Sequence, residues 1–293
     1  MTEPKVTALC EKAMLVKLTQ RRVNLTRRDQ AAETLIQQQL DDSSLTVLSR
    51  LFRSKDSPIN RALSHLSETY AYHKKHTLPY VDKGPRILTN GLYLDYSNHM
   101  RSRRNELDTM ISSILPNYDA YVQQDILQRS KTSTRATAAD YPSASEFFDR
   151  VGFDVRFTPL PDERHFLFDL SEEDQATFAA AMRDVQITAT NDAIGRMLTP
   201  LKHLVDKLNK PIGTDGAVFR DSAVENVAEG LEIARKLLLD APQEVVNTMA
   251  ALDKAVSAFA GNKDWLRESP VMREQAAKKL DDIARQMGAF MGA

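Results

Sequence analysis

A predominantly helical α+β fold is predicted by three observations. Ten glycines and twelve prolines in 293 residues are few for an all-β chain or a glycine-rich nucleotide-binding fold. Apolar residues recur every three or four positions over most of the length, the period of a one-sided helix. Only short stretches alternate as strands do, and they predict two small β-hairpins beside a C-terminal helical bundle, too few strands for an OB-fold barrel.

Leu15 to Leu25 alternates loosely and reads as a short strand, after which Thr26 is placed to cap a helix running to about Leu40. Asp56-Ser57-Pro58 is a helix-start signal, because proline suits the first turn, where no amide donor is needed. Ile59, Leu63, Leu66 and Tyr70 continue that helix to His76. Between Arg86 and Tyr96 the Asn90-Gly91 pair separates two apolar runs, the signature of a tight hairpin turn. A helical pattern resumes at Ser97 through Met100, Leu107, Ile111 and Ile114, breaks at Pro116, and continues with Tyr118, Val122 and Ile126.

The polar run Ser130 to Ala139 lacks apolar anchors and reads as a flexible linker or loop. Phe153, Val155 and Phe157 alternate, as do Phe166, Phe168 and Leu170 beyond Pro159 and Pro161, which predicts the second hairpin. Ser171 followed by Glu172, Glu173 and Asp174 opens a helix carrying apolar residues to Leu208. Segments Val224 to Leu238, Pro242 to Phe259 and Pro270 to Phe290 each carry one apolar stripe, to be buried on one another or on another chain. The predicted organisation is a basic strand, helix and hairpin region over 1–130, a linker over 131–145, and a hairpin with acidic self-associating helices over 146–293.

Charge divides along the same line. Residues 1–139 carry 21 Lys and Arg against 14 Asp and Glu, leaving 18 against 26 of the totals of 39 and 40 for the rest. A polyanion responds to local charge, so a basic half joined to an acidic half predicts a nucleic-acid grip joined to a partner module. The absence of any apolar run of about eighteen residues, and of a signal-like start, predicts a soluble cytoplasmic protein without membrane contact. Cys10 is the sole cysteine, which excludes an intramolecular disulfide and a cysteine-based zinc site.

Enzymatic motifs are absent. Neither GxxxxGK[ST] nor GxGxxG occurs to surround a phosphate with backbone amides, and no GxSxG nucleophile elbow is present. His73 and His76 lie three apart on a predicted helix, but the flanking Lys74 and Lys75 favour a solvated pair over a ligand set. Glu172, Glu173 and Asp174 are explained by compensation of the helix dipole. No enzyme, cofactor or metal is therefore expected.

What remains is cations interleaved with aromatics. Single-strand binding needs both, because cations neutralise phosphates with release of counterions and exposed rings stack unpaired bases. Arg21, Arg22, Arg27 and Arg28 bracket the first helix start. Lys74 and Lys75 adjoin Tyr72, while Lys83, Arg86, Arg101, Arg103 and Arg104 flank the segment with Tyr93 and Tyr96. Lys131 and Arg135 add charge to the linker, which would order on DNA. The competing reading is ordinary: surface lysines and arginines are common, and a tyrosine at helical spacing is more often a core-edge residue than a stacking platform.

At YPSASEFFDRVGFDVRF (Tyr141 to Phe157) and FRDSAVENV (Phe219 to Val227) the chain resembles a phage and prophage family of helical proteins without assigned enzymatic activity. Within that family it is most similar to the early single-stranded-DNA-binding RNA polymerase cofactors of the schitoviruses, which are podophages with a virion RNA polymerase. The resemblance spans most of the chain in the order of its elements. It implies single-stranded DNA binding without an OB-fold, recruitment of a phage RNA polymerase to early promoters, and a homo-oligomer. The alternatives are a helical adaptor of a phage AAA+ ATPase system and a structural phage protein.

Overall fold

The computed structural model describes residues 11–80, 84–130, 136–161, 171–212, 221–238, 241–260, 266 and 268–292. It is an α-rich α+β fold, as predicted, and divides into two compact units. One comprises residues 1–17, 75–94 and 157–293, and the other residues 18–74 and 95–156. The units therefore interleave in the chain instead of meeting at a linker near residue 130, because strands distant in sequence must pair to satisfy their backbone.

Strands β1 (Ala13–Arg21), β4 (Leu78–Pro79), β5 (Arg86–Thr89) and β6 (Gly152–Pro159) form a sheet in the order β4-β5-β1-β6. Strand β5 runs antiparallel to β1 with Met14 opposite Leu88 and Val16 opposite Arg86. Strands β2 (Thr26–Arg28) and β3 (Leu48–Arg50) form a separate two-stranded ladder. Among the described residues no barrel closes.

In the first unit, helix α6 (Glu172–Asn209) packs with α7 (Asp221–Leu237) and α9 (Pro270–Ala289), and α8 (Gln243–Ala260) packs on those two. The three C-terminal apolar stripes are buried on one another and on α6, around Leu201, Leu231, Leu252 and Leu280. Ser171 caps α6 by accepting the Asp174 amide at 3.1 Å, as its sequence suggested. Pro200 interrupts α6 from within, and its missing N–H leaves the Arg196 carbonyl without its usual donor. Gly230 of α7 packs there, where a Cβ would stand 3.3 Å from that carbonyl oxygen.

The second unit is built on α2 (Pro58–His76), α3 (Asn90–Ile114) and α4 (Tyr118–Ser130), with Leu66, Tyr96, Leu107, Ile114, Tyr118 and Phe147 in its interior. Asp125 ties it together. The carboxylate accepts from Phe52 N at 3.0 Å, Arg53 N at 3.1 Å, Arg129 Nε at 2.7 Å and Tyr141 Oη at 2.6 Å. Burial alone would raise its pKa, but these four donors outweigh burial and hold it below the ordinary carboxylate value.

Several local expectations are corrected. Asn90-Gly91 opens α3 and does not turn a hairpin: Leu92, Tyr96 and Met100 follow at helical spacing and are buried, while β5 finds its partner in the distant β1. Thr26 does not cap a helix. It lies in β2, opposite Arg50, and α1 (Gln30–Leu40) is capped by Asp29, whose Oδ1 accepts the Ala32 amide at 3.2 Å. Of the expected second hairpin, the Phe153–Phe157 arm is β6, and the returning arm 166–170 lies outside the described residues.

The predicted linker lies outside the described residues at 131–135, and its remainder is anchored at two points between exposed residues. Ala136 and Tyr141 are buried, and Ser143 caps the short helix α5 (Ala144–Asp149) in a reciprocal box with Glu146. The break at Pro116 is confirmed as a single tight turn over Leu115–Asn117 between α3 and α4. Among the described residues no helix is long and apolar enough to cross a membrane.

Candidate nucleic-acid interface

Within the second unit, α2 and α3 lie side by side, with contacts that descend one helix as they ascend the other. Tyr72 stacks on His99 with ring centroids 3.6 Å apart, and Arg103 Nη2 donates to Glu68 Oε2 at 2.9 Å. One turn further, the His65 ring nitrogen meets the Arg103 carbonyl at 2.7 Å. Arg103 also donates to the His65 carbonyl and Thr69 Oγ1, so it is a brace between helices with only 15 % of its side chain exposed.

The end of β1 joins this surface. Arg22 Nη2 donates to Ser67 Oγ on α2 at 3.1 Å. Arg21 Nη1 donates to Asp154 Oδ2 at 2.8 Å, and Arg104 Nη2 reaches Asp154 Oδ1 at 3.3 Å and the Phe153 carbonyl at 2.9 Å. Arg101 stands one turn before Arg104 on α3, with a hydrogen bond to Asn98. The contacts fall into three groups: Arg21 and Arg104 meet at Asp154, Arg103 is braced on His65, Glu68 and Thr69 of α2, and Arg22 reaches Ser67 of the same helix, with Arg101 one turn from Arg104. Glu68, Glu106 and Asp154 are the carboxylates inside the set.

Those ion pairs do not close the surface to phosphate. Asp154, Arg21 and Arg104 are each about half exposed, and exposed pairs are worth about 0–1 kcal/mol, so a phosphate can take the carboxylate's place at little cost. The Tyr72–His99 stack supplies a half-buried aromatic surface between Glu68 and the end of α2. Burial and then Arg103 push the His99 imidazole below its ordinary pKa, which keeps the stack uncharged near neutral pH.

The other sequence-predicted residues are placed differently. Tyr96 is fully buried, with its hydroxyl 2.7 Å from His73 Nδ1, and cannot stack a base: it occupies the inward face of α3 at the spacing of Leu92 and Met100. Burial also raises its phenol pKa. Arg27 pairs with Asp140 at 3.1 Å and Arg28 with Glu33, both around the β2–β3 ladder. Lys74 is exposed at the end of α2. Lys75, Arg86 and Tyr93 belong to the other unit, where Lys75 pairs with Glu229 at 2.6 Å and Arg86 braces β5 against Thr77. Lys83, Lys131 and Arg135 lie outside the described residues.

Sequence reasoning missed His99, Glu68 and Asp154. No local signal identifies them, because each acquires its partner from an element at least 27 residues away. Among the described residues no group of three His, Cys, Asp or Glu side chains is gathered to hold a metal ion. Comparison of the chain with protein-family models, curated proteins and solved structures finds no match.

Proposed function

We propose that this protein binds single-stranded DNA without enzymatic activity, through the arginine surface formed by the end of β1 and the outer side of α3. The observation that carries the reading is that the end of β1 and helix α3 bring Arg21 and Arg104 to one half-exposed carboxylate, while Arg22 and Arg103 are held on α2, which also carries the Tyr72–His99 stack. Cations on a track position phosphates without regard to sequence, and one aromatic face accepts any base. Three carboxylates within the set temper the field, so binding is moderate and strongly salt-dependent. The role as an early transcription cofactor that recruits a phage RNA polymerase, and self-association of the chain, are supported by the family resemblance at Tyr141 to Phe157 and Phe219 to Val227.

The test is fluorescence anisotropy of a labelled oligothymidylate and of a duplex, each at two salt concentrations, with wild type and the exposed-arginine variant Arg22→Glu/Arg101→Glu/Arg104→Glu. Each phosphate contact contributes roughly fivefold at 0.1 M salt, so the triple variant is expected to bind any single strand at least tenfold more weakly with unchanged helicity. Equal affinity for duplex and single strand, or a loss confined to one sequence, contradicts the reading. Addition of the protein to a virion RNA polymerase on an early-promoter template is expected to raise transcript yield.

A further inference from the structure

A second feature lies in the other unit and is not used by the arginine surface. The start of β1, the junction of β5 with α3 and the end of β6 line an open pocket of about 510 Å³, within the range of small-molecule pockets. Its walls include Met14, Leu88 and Pro159, together with Tyr93 and Phe157, whose rings meet edge to face with centroids 5.5 Å apart. Such a pair presents a ring face and a ring edge to a third planar group. Polar residues also line it: Glu11, Lys12, Asn90 and Thr158.

A wholly apolar ligand would leave the Asn90 amide against hydrocarbon, which is costly. A flat heteroaromatic ring satisfies both kinds of wall. Its faces pack on the tyrosine and phenylalanine, and its edge exchanges hydrogen bonds with an amide that offers both a donor and an acceptor. A metal has no ligand set among the described residues. From this chemistry we infer that the Tyr93–Phe157 pocket takes one unstacked nucleobase of a bound single strand, an inference that rests on the proposed function.

The site is testable because Thr158 is exposed on β6, at an edge of the sheet, so Thr158→Trp fills the pocket with no change to the core. Oligothymidylates carrying one 5-iodouracil at successive positions are irradiated with the full-length chain, since this base crosslinks preferentially to aromatic rings stacked on it. A crosslink at Tyr93 or Phe157 that Thr158→Trp abolishes, with strand affinity reduced about fivefold or more for one lost stack, is the expected result. Crosslinks found only elsewhere, with affinity unchanged in Thr158→Trp, overturn the pocket assignment and leave the proposed function standing.

If no strand binds at all, the proposed function fails, and saturation-transfer NMR with thymidine monophosphate decides the pocket. Transfer lost in Thr158→Trp supports a nucleotide site, and absent transfer overturns it. A change in sedimentation of Thr158→Trp without any crosslink assigns the pocket to a second copy of the chain and likewise overturns the inference.

Discussion

Neutralising Asp154 should strengthen DNA binding, an outcome opposite to that of most surface substitutions. One carboxylate spans two guanidinium groups, with Arg21 at 2.8 Å and Arg104 at 3.3 Å, and all three side chains are about half exposed. In so much solvent each pair contributes under about 1 kcal/mol to stability, so Asp154→Asn should leave the unfolding midpoint nearly unchanged. The effect on a polyanion is larger. Five arginines and three carboxylates give the surface a net of two positive charges, which the substitution raises to three.

With a dependence of roughly 0.7 in log K per log unit of salt for each neutralised phosphate, the wild type should show a slope between about −1.4, set by net charge, and about −3.5, set by all five arginines. Asp154→Asn should steepen that slope by about 0.7 and raise affinity roughly fivefold at 0.1 M salt. Anisotropy titrations of a labelled oligothymidylate between 50 and 300 mM salt measure both quantities, on the order of the range over which counterion release is resolved. An unchanged slope, or weaker binding by a variant that unfolds at the wild-type midpoint, would show that Arg21 and Arg104 do not contact phosphates.

Asp125→Asn should destabilise the second unit by about 3–5 kcal/mol, because the Arg129 guanidinium, wholly buried, would lose its counter-charge; urea unfolding followed by circular dichroism measures the loss. The same carboxylate predicts acid lability with a definite sign. Its folded pKa lies below the unfolded value of about 3.9, so its contribution is present above that value and lost as pH falls through the folded one. An unfolding free energy that is flat with pH below 4 in the wild type, or as steep in Asp125→Asn, would contradict this. Tyr72→Ala should weaken strand binding by about 1–3 kcal/mol, whereas Tyr96→Phe should cost about 1 kcal/mol of stability through its lost bond to His73 and leave strand affinity intact. Unchanged affinity in Tyr72→Ala would remove the aromatic surface from the interface.

Where the determinants are local, the chain spells out its own structure. The helix at Pro58–His76 is legible because Asp56-Ser57-Pro58 sets its start and its apolar residues keep one face, and the same holds for Ser171 before α6. The excess of arginine and lysine before residue 140 is likewise written in the sequence. Tertiary structure decided what these elements meet. Asn90-Gly91 carries a turn signature, yet the strand before it pairs with β1 and the residues after it have a helical face to bury, so packing overrides two residues of local preference. Tyr72 and Tyr96 look alike along the chain, but one lies half exposed on His99 and the other in the interior, because the rotation of α3 against α2 assigns them to opposite sides of one boundary. Arg21 and Arg104 share a carboxylate more than 130 residues from the first and 50 from the second. Composition can supply the charges, but only the folded chain decides which of them stand against a carboxylate.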